Sequence, residues 1–340
     1  MIANQRLSAW FVSSVMVLAL AAFSCSEAGG KGSAAVRACF VGVRSLGRGS
    51  EVIQVSWLHG QSPEVTYVAT NRQTWHHVVR DWKRQDYYFI DSDLETDLAQ
   101  VKCVNPSEER ERIIFETKGG QCFSGDLAMS PDCTYVLMML RGIGLLRWDT
   151  EQRELTRLPC NLKDIAWIRH TAGGTAYAVA SGALYRLDAQ TGETDLVRVD
   201  DPQSHIVDIS PDGELLMTLG SEGYVVNRLD GQPLEHRYKL AKLTRVFLRQ
   251  AAGQQSASVT PEGEIVITKH VPNPLSDCPN LVFVGPRQVA YTKIAGWTFT
   301  LPKDGLFVYD INTGKETLIV EDTIYYVSRD GGCLETTERP

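Results

Sequence analysis

Asp91, Asp93, Glu95 and Asp97 occupy alternate positions of one short segment, and clustered carboxylates are the hard oxygen donors that Ca2+ prefers. The glycine that bends an EF-hand loop is missing among them. Carboxylates alternating along a strand also form an ordinary solvated face. Apart from this Ca2+ candidate, no cofactor is expected.

A second grouping is Trp75, His76 and His77, with Trp82, Tyr87 and Tyr88 close behind. Their rings offer broad apolar faces with a polar handle, which suits stacking on a sugar or a peptide. Adjacent histidines on a strand point to opposite faces, so they make a poor chelating pair. A third grouping is the loop 294–304, which carries Trp297 and Phe299. Exposed aromatic loops are a common source of binding hot spots, whereas a buried tryptophan merely packs. Trp75, His76, Trp82, Trp297 and Phe299 are the candidate binding residues.

Nothing points to a catalytic set. The chain has no G-x-S-x-G nucleophile elbow, no G-x-x-x-x-G-K-[ST] phosphate loop and no H-E-x-x-H zinc motif. It also lacks C-x-x-C and any cysteine–histidine spacing suited to structural zinc.

The elements that must position these groups follow from a turn that recurs at roughly 40-residue spacing. It reads Ser130-Pro131-Asp132-Cys133, Ser210-Pro211-Asp212-Gly213 and Ser328-Arg329-Asp330-Gly331, with a degenerate copy at Thr171-Ala172-Gly173-Gly174. A second turn keeps the same period in another phase, at Asp149, Asp188, Asp230 and Asp310. Two interleaved turns per repeat predict about four short strands per repeat, the blade of a β-propeller. Runs rich in β-branched and aromatic residues flank each turn, as strands require.

Innermost strands are predicted to begin near 126, 165, 205, 244, 281 and 323. The one near 244 belongs to a poorly marked blade, with further strands at 256–260 and 264–268, inferred because Asp230 and Asp310 stand two periods apart. Upstream, 52–58, 64–69 and 87–90 read as one blade interrupted by a polar, aromatic insertion after Ala69, with a trace of helical periodicity at 75–84. A strand near Tyr325 with a partner at 38–43 would close the ring from both chain ends, removing exposed edges. The expectation is an all-β propeller of seven blades, or six if 324–327 only pads an edge.

Composition fits one such body. With 43% hydrophobic and 22% charged residues, and no proline-rich linker after residue 36, the segment 36–340 reads as a single domain. A formal charge of −7 with scattered basic residues argues against nucleic acid as partner.

The first 25 residues read as a targeting segment, with Arg6 ahead of an apolar stretch from Trp10 to Phe23 that is short for a bilayer span. Residues 26–35 form a small, polar tether. Ala22-Phe23-Ser24-Cys25 resembles a bacterial lipobox, which implies acylation of Cys25. The same residues satisfy the small-x-small rule for plain cleavage, and an uncleaved anchor is the third alternative. All three place the body outside the cytoplasm. Without Cys25 the remaining cysteines are odd in number, so they cannot all pair within one chain. Cys39 with Cys333 is the candidate disulfide, because ring closure would bring them together.

Ser210-Pro211-Asp212-Gly213 before Glu214-Leu215-Leu216-Met217, followed by Tyr224 to Gly231, resembles the repeat of TolB-type, WD-repeat-like β-propellers, over roughly residues 120–330. That resemblance implies an extracytoplasmic scaffold, a ligand sensor or an accessory domain. The expected function is a non-catalytic envelope scaffold that binds a protein, peptide or glycan and meets the membrane only through an N-terminal lipid. The alternative is a lactonase- or lyase-like enzyme with its site at the channel mouth. Convergence of His205, Asp126 or Asp208 on a metal or small pocket would favour the enzyme.

Overall fold

A computed structural model describes most of residues 37–230 together with 256–259, 265–268, 281–293, 305–321 and 324–329. The chain forms an all-β propeller whose sheets succeed one another around a ring. Blade one holds β1 (Arg37–Ser45), β2 (Ser50–Leu58) and β3 (Glu64–Asn71). Blade two is β4 (Trp75–Asp81), β5 (Asp86–Asp93), β6 (Leu98–Asn105) and β7 (Arg110–Lys118). Blade three is β8 (Gly125–Met129), β9 (Tyr135–Leu140), β10 (Gly144–Asp149) and β11 (Glu154–Arg157).

Blade four is β12 (Ile165–His170), β13 (Ala176–Ala180), β14 (Ala183–Leu187) and β15 (Thr194–Val199). Blade five shows β16 (His205–Ile209), β17 (Leu215–Gly220) and β18 (Gly223–Arg228) among the described residues. A separate antiparallel pair follows, β19 (Ser256–Val259) and β20 (Ile265–Thr268). Blade six is β21 (Leu281–Gly285), β22 (Gln288–Lys293), β23 (Gly305–Asp310) and β24 (Lys315–Val320). The last described strand, β25 (Ile324–Arg329), pairs with β1 and becomes the innermost strand of blade one.

The ring therefore has six blades, the second of the two expected counts, with 324–329 completing blade one rather than padding an edge. One hydrophobic cluster fills each of the six contacts between neighbouring blades, blades six and one included. Blade five meets blade six directly: Phe283 N donates to Asp208 Oδ2 at 2.6 Å, and Arg287 reaches back to Asp212 and Glu214 at 2.9 and 2.7 Å. No ring position is left between them for the strand pair at 256–268. That segment is a hairpin within the connection between the two blades, and the predicted strand at 244–248 lies outside the described residues.

The N-terminal reading changes too. The stretch after Ala69 is no insertion and no helix, because Trp75–Asp81 forms β4, the innermost strand of a full blade. The strands at 50–71 belong instead to the closing blade, which takes three strands from the N-terminal side and one from the C-terminal side.

The repeated turns work as their residue types dictate. Ser130 Oγ and Ser210 Oγ accept the amides of Tyr135 and Leu215 at 3.1 and 2.8 Å. The turn closes with Cys133 N donating to Ser130 O and Gly213 N to Ser210 O, both at 2.9 Å. The residue in that fourth position sits at φ +58° in the first copy and +74° in the second. Glycine adopts such a backbone freely, so Cys133 is the strained copy and is held by full burial.

Cys39 is buried in β1 and disulfide-bonded, with its partner outside the described residues. Cys103, Cys133 and Cys160 are free. Burial pushes the Cys103 and Cys133 thiols up to about 12, which keeps them protonated and unreactive at neutral pH.

Candidate functional site

Charged residues in a propeller core are costly unless paired, so those on the innermost strands stand out. Asp126 lies on β8, Arg169 and His170 on β12, Asp208 on β16, Arg329 on β25 and His77 on β4. Local register shifts accompany several of them, between His76 and Val79, Ile165 and Trp167, and Ile206 and Asp208. His77 adopts φ +53° within the first of these bulges. Such irregularities re-aim side chains out of the regular alternation.

The result is a chain of alternating charges around the ring centre. Asp126 Oδ1 faces His77 Nδ1 at 3.3 Å, and its Oδ2 takes Arg169 Nη1 at 2.6 Å. The same oxygen accepts the Ile168 amide at 2.8 Å, while Oδ1 accepts that of Leu127 at 3.0 Å. Arg169 Nε lies 3.3 Å from Asp208 Oδ1, so one guanidinium links both aspartates. Its charge also sits 5.4 Å from the centre of the Trp167 ring. Arg329 completes the chain: Nη2 lies 3.3 Å from Asp208, Nη1 donates to His170 O at 3.0 Å, and Nε to Phe283 O at 2.9 Å. A further bond runs from Arg329 Nη2 to Ile209 O.

Burial alone would raise the Asp126 pKa, but Arg169, the His77 hydrogen bond and the Ile168 amide outweigh it and hold the carboxyl below its ordinary value. Asp126 is therefore an anion locked in place rather than an acid poised to give up a proton. His170 behaves in the opposite way. It is 7% exposed, neither ring nitrogen has a hydrogen-bond partner among the described residues, and Tyr135 packs edge-on at 5.5 Å. Burial drives its pKa down to about 4, although the nearby Gly174 backbone favours the charged form, so the ring is neutral at physiological pH.

The space left at the centre, lined by Arg169, His170, Ser328 and Arg329 among others, has a volume of about 30 Å³. Against the roughly 10–15 Å³ that one water needs, this admits about two or three. Among the described residues the centre is thus crossed by ion pairs, beside a cavity that admits a few water molecules.

Of the candidate enzyme residues, Asp126 and Asp208 do converge, but on arginines and backbone amides. His205 is exposed at the start of β16. Among the described residues no group of three or more His, Cys, Asp or Glu is placed to hold a metal. Asp91 is buried and bonds Lys102 at 2.7 Å, and Lys102 also takes Glu111 at 2.8 Å. Asp93 ends β5, while Glu95 and Asp97 lie outside the described residues.

Trp75 and His76 begin β4, opposite Asp91 and Ile90 of β5. Trp82 stands in the β4–β5 turn, 38% exposed, and its Nε1 donates to Pro131 O at 3.4 Å. Lys83 Nζ lies 5.7 Å from the Trp82 ring centre and donates to Asp132 O at 2.6 Å. Trp82 therefore sits against the Ser-Pro-Asp turn of blade three, at the end of the ring that carries the β4–β5, β8–β9 and β10–β11 turns. Tyr87 and Tyr88 are buried. Trp297, Phe299, Cys25 and Cys333 lie outside the described residues. Sequence reasoning missed Arg169, His170 and Arg329; their signal was a charged or polar residue ending an otherwise apolar innermost strand.

A six-bladed β-propeller with an ion-paired centre is the class that fold and site define. The sequence matches no protein family and no curated protein. Among solved structures, the fold is similar to TolB from Acinetobacter baumannii, with a TM-score of 0.53 at 12% identity, over 86% of this chain and 66% of that one. It is also similar to a nidogen/laminin complex structure, with a TM-score of 0.52 at 8% identity, over 86% of this chain and 97% of that one. The chain thus spans just under two thirds of the TolB chain's length. Identities this low carry the fold and no further.

Proposed function

We propose that the protein is an exported, non-catalytic scaffold in the cell envelope that binds a protein, peptide or glycan, held to the membrane by an acylated Cys25 and needing no cofactor. The observation that carries this reading is the state of the central carboxylates. Asp126 and Asp208 are taken up by Arg169, Arg329 and the amides of the neighbouring blade, beside a cavity of about 30 Å³. A lactonase- or lyase-like site would need an open position there for substrate. Recognition then falls to the rim, where Trp82 and Lys83 present an aromatic and cationic surface on rigid hairpins. An acidic overall charge fits a partner other than nucleic acid.

In affinity capture from the organism's own envelope fraction, Trp82→Ala is expected to lose partners retained by the parent protein. An identical set of partners from both proteins would sink the rim reading.

The closing blade also bears on export. Phe40 of β1 faces Arg329 of β25, so β25 ends one register position from Cys39 and four residues before Cys333. This supports Cys333 as the partner of the Cys39 disulfide, a pairing suited to an oxidising compartment. Non-reducing peptide mapping should recover Cys39 joined to Cys333; a Cys39 peptide joined to Cys122 or Cys278 would refute the pairing.

A further inference from the structure

A second cavity, of about 260 Å³, opens at the rim between blades two and three. That lies just under the roughly 300–1,000 Å³ of pockets that take drug-sized ligands. Three arginines line it, Arg84, Arg112 and Arg153, with Asp86, Glu151 and the Trp148 indole.

These arginines are not equivalent. Arg84 is engaged: Nη1 bonds buried Asp81 at 2.9 Å, Cys133 O at 3.0 Å and Thr150 Oγ1 at 3.2 Å, and Nη2 bonds Glu151 at 3.3 Å. Arg84 thereby ties the two blades together and shapes the cleft. The guanidinium groups of Arg112 and Arg153 make no hydrogen bond or ion pair with any described residue. Arg112 is half-buried and Arg153 exposed. Arg112 acts on Asp86 only through space, so both guanidinium groups, which come from neighbouring blades, keep donors for a carboxylate.

The other groups narrow the choice. Asp86 is buried and accepts Asn105 Nδ2 at 2.8 Å. Burial raises its pKa, against the Asn105 bond and Arg112. Its oxygens and those of Glu151 remain acceptors inside the cleft. They attract hydroxyl donors and oppose a second negative charge on the ligand. The indole of Trp148 supplies a surface against which carbon-bound hydrogens can pack.

We propose that this cleft binds a small polyhydroxylated monocarboxylate, with Arg112 and Arg153 holding the carboxylate, Asp86 and Glu151 accepting its hydroxyls, and Trp148 covering its carbon chain. The proposal deepens the scaffold reading, because the cleft shares its rim with Trp82, and it assigns a ligand class to that surface.

The test is calorimetric titration of the full chain with sodium gluconate, with sorbitol as the uncharged polyol and tartrate as the dianion. Gluconate should bind better than either control, and Arg112→Gln or Arg153→Gln should each weaken it about tenfold, the value of one charged hydrogen bond. Weakening in either variant supports the site, and the exposure of Arg153 makes its replacement harmless to folding. Silence with gluconate, equal binding of sorbitol or tartrate, or unchanged affinity in both variants overturns it. The two readings fail separately. Partner loss in Trp82→Ala without gluconate binding removes only the cleft, and gluconate binding with partners unchanged removes only the rim.

Discussion

Arg329→Leu is expected to lower folding stability by about 3–5 kcal/mol, measured by chemical denaturation at neutral pH, because it leaves a buried carboxylate without its counter-charge. Among the described residues Asp208 would keep only Arg169 and the Phe283 amide, and the carbonyls of His170, Ile209 and Phe283 would each lose a donor. A conformational origin can be separated from an electrostatic one with the double variant Arg329→Leu, Asp208→Leu. Removing both charges should return much of the loss, since a buried pair replaced by apolar side chains is often close to neutral. A cost under about 1 kcal/mol for the single variant would mean that water reaches Asp208 and that the centre is no sealed plug.

The second large effect depends on pH. An unfolded histidine titrates near 6.5, whereas buried His170 does so at about 4. Between those values the unfolded chain holds the proton and the folded one does not. Stability is therefore complete above about pH 6.5, falls as the pH drops towards about 4, and loses nothing more from this group below that; the total is about 3 kcal/mol. His170→Phe keeps the edge-on contact with Tyr135 and should flatten the profile through this window. A profile as steep in the variant as in the parent would assign the acid sensitivity elsewhere. Asp126 acts in a lower window, because a carboxyl held below its ordinary pKa loses its contribution only as the pH falls beneath that of a free aspartate.

The parts of this fold that could be read from the sequence are those set within a few residues. Ser-Pro-Asp-Gly closes its hairpin with its own side chains and amides, and so announces itself wherever it occurs. The composite closing blade was legible as well, because β25 recurs at the phase of an innermost strand while 38–43 reads as a strand outside the neighbouring blade. The count of blades was not. The pair β19–β20 has the local pattern of blade strands, and it is long-range contacts between blades five and six, such as Asp208 with Phe283 75 residues apart, that exclude it from the ring. Nor was β4 legible, since Trp75, His76, His77 and the buried Arg80 and Asp81 mask the apolar alternation by which a strand is recognised.

The central network was half visible. Asp126 and Asp208 drew notice as carboxylates near the starts of innermost strands, but their partners lie far along the chain. Arg169 is 43 residues from Asp126, and Arg329 is 121 from Asp208. Pairings over such separations are fixed by ring closure, which no local pattern encodes. For the same reason the rim cleft escaped notice, since Arg112 and Arg153 come from different blades and look in sequence like ordinary solvated charges.

Pairing of β25 with β1 sets the order in which this molecule can be finished. β1 is made long before its partner β25, so until β25 emerges β1 keeps an unsatisfied edge with Phe40, Val41 and Val43 in need of cover. Closing so long a loop raises contact order and slows the final step. An emerging chain of this kind exposes that edge, and with it a risk of aggregation, until β25 docks.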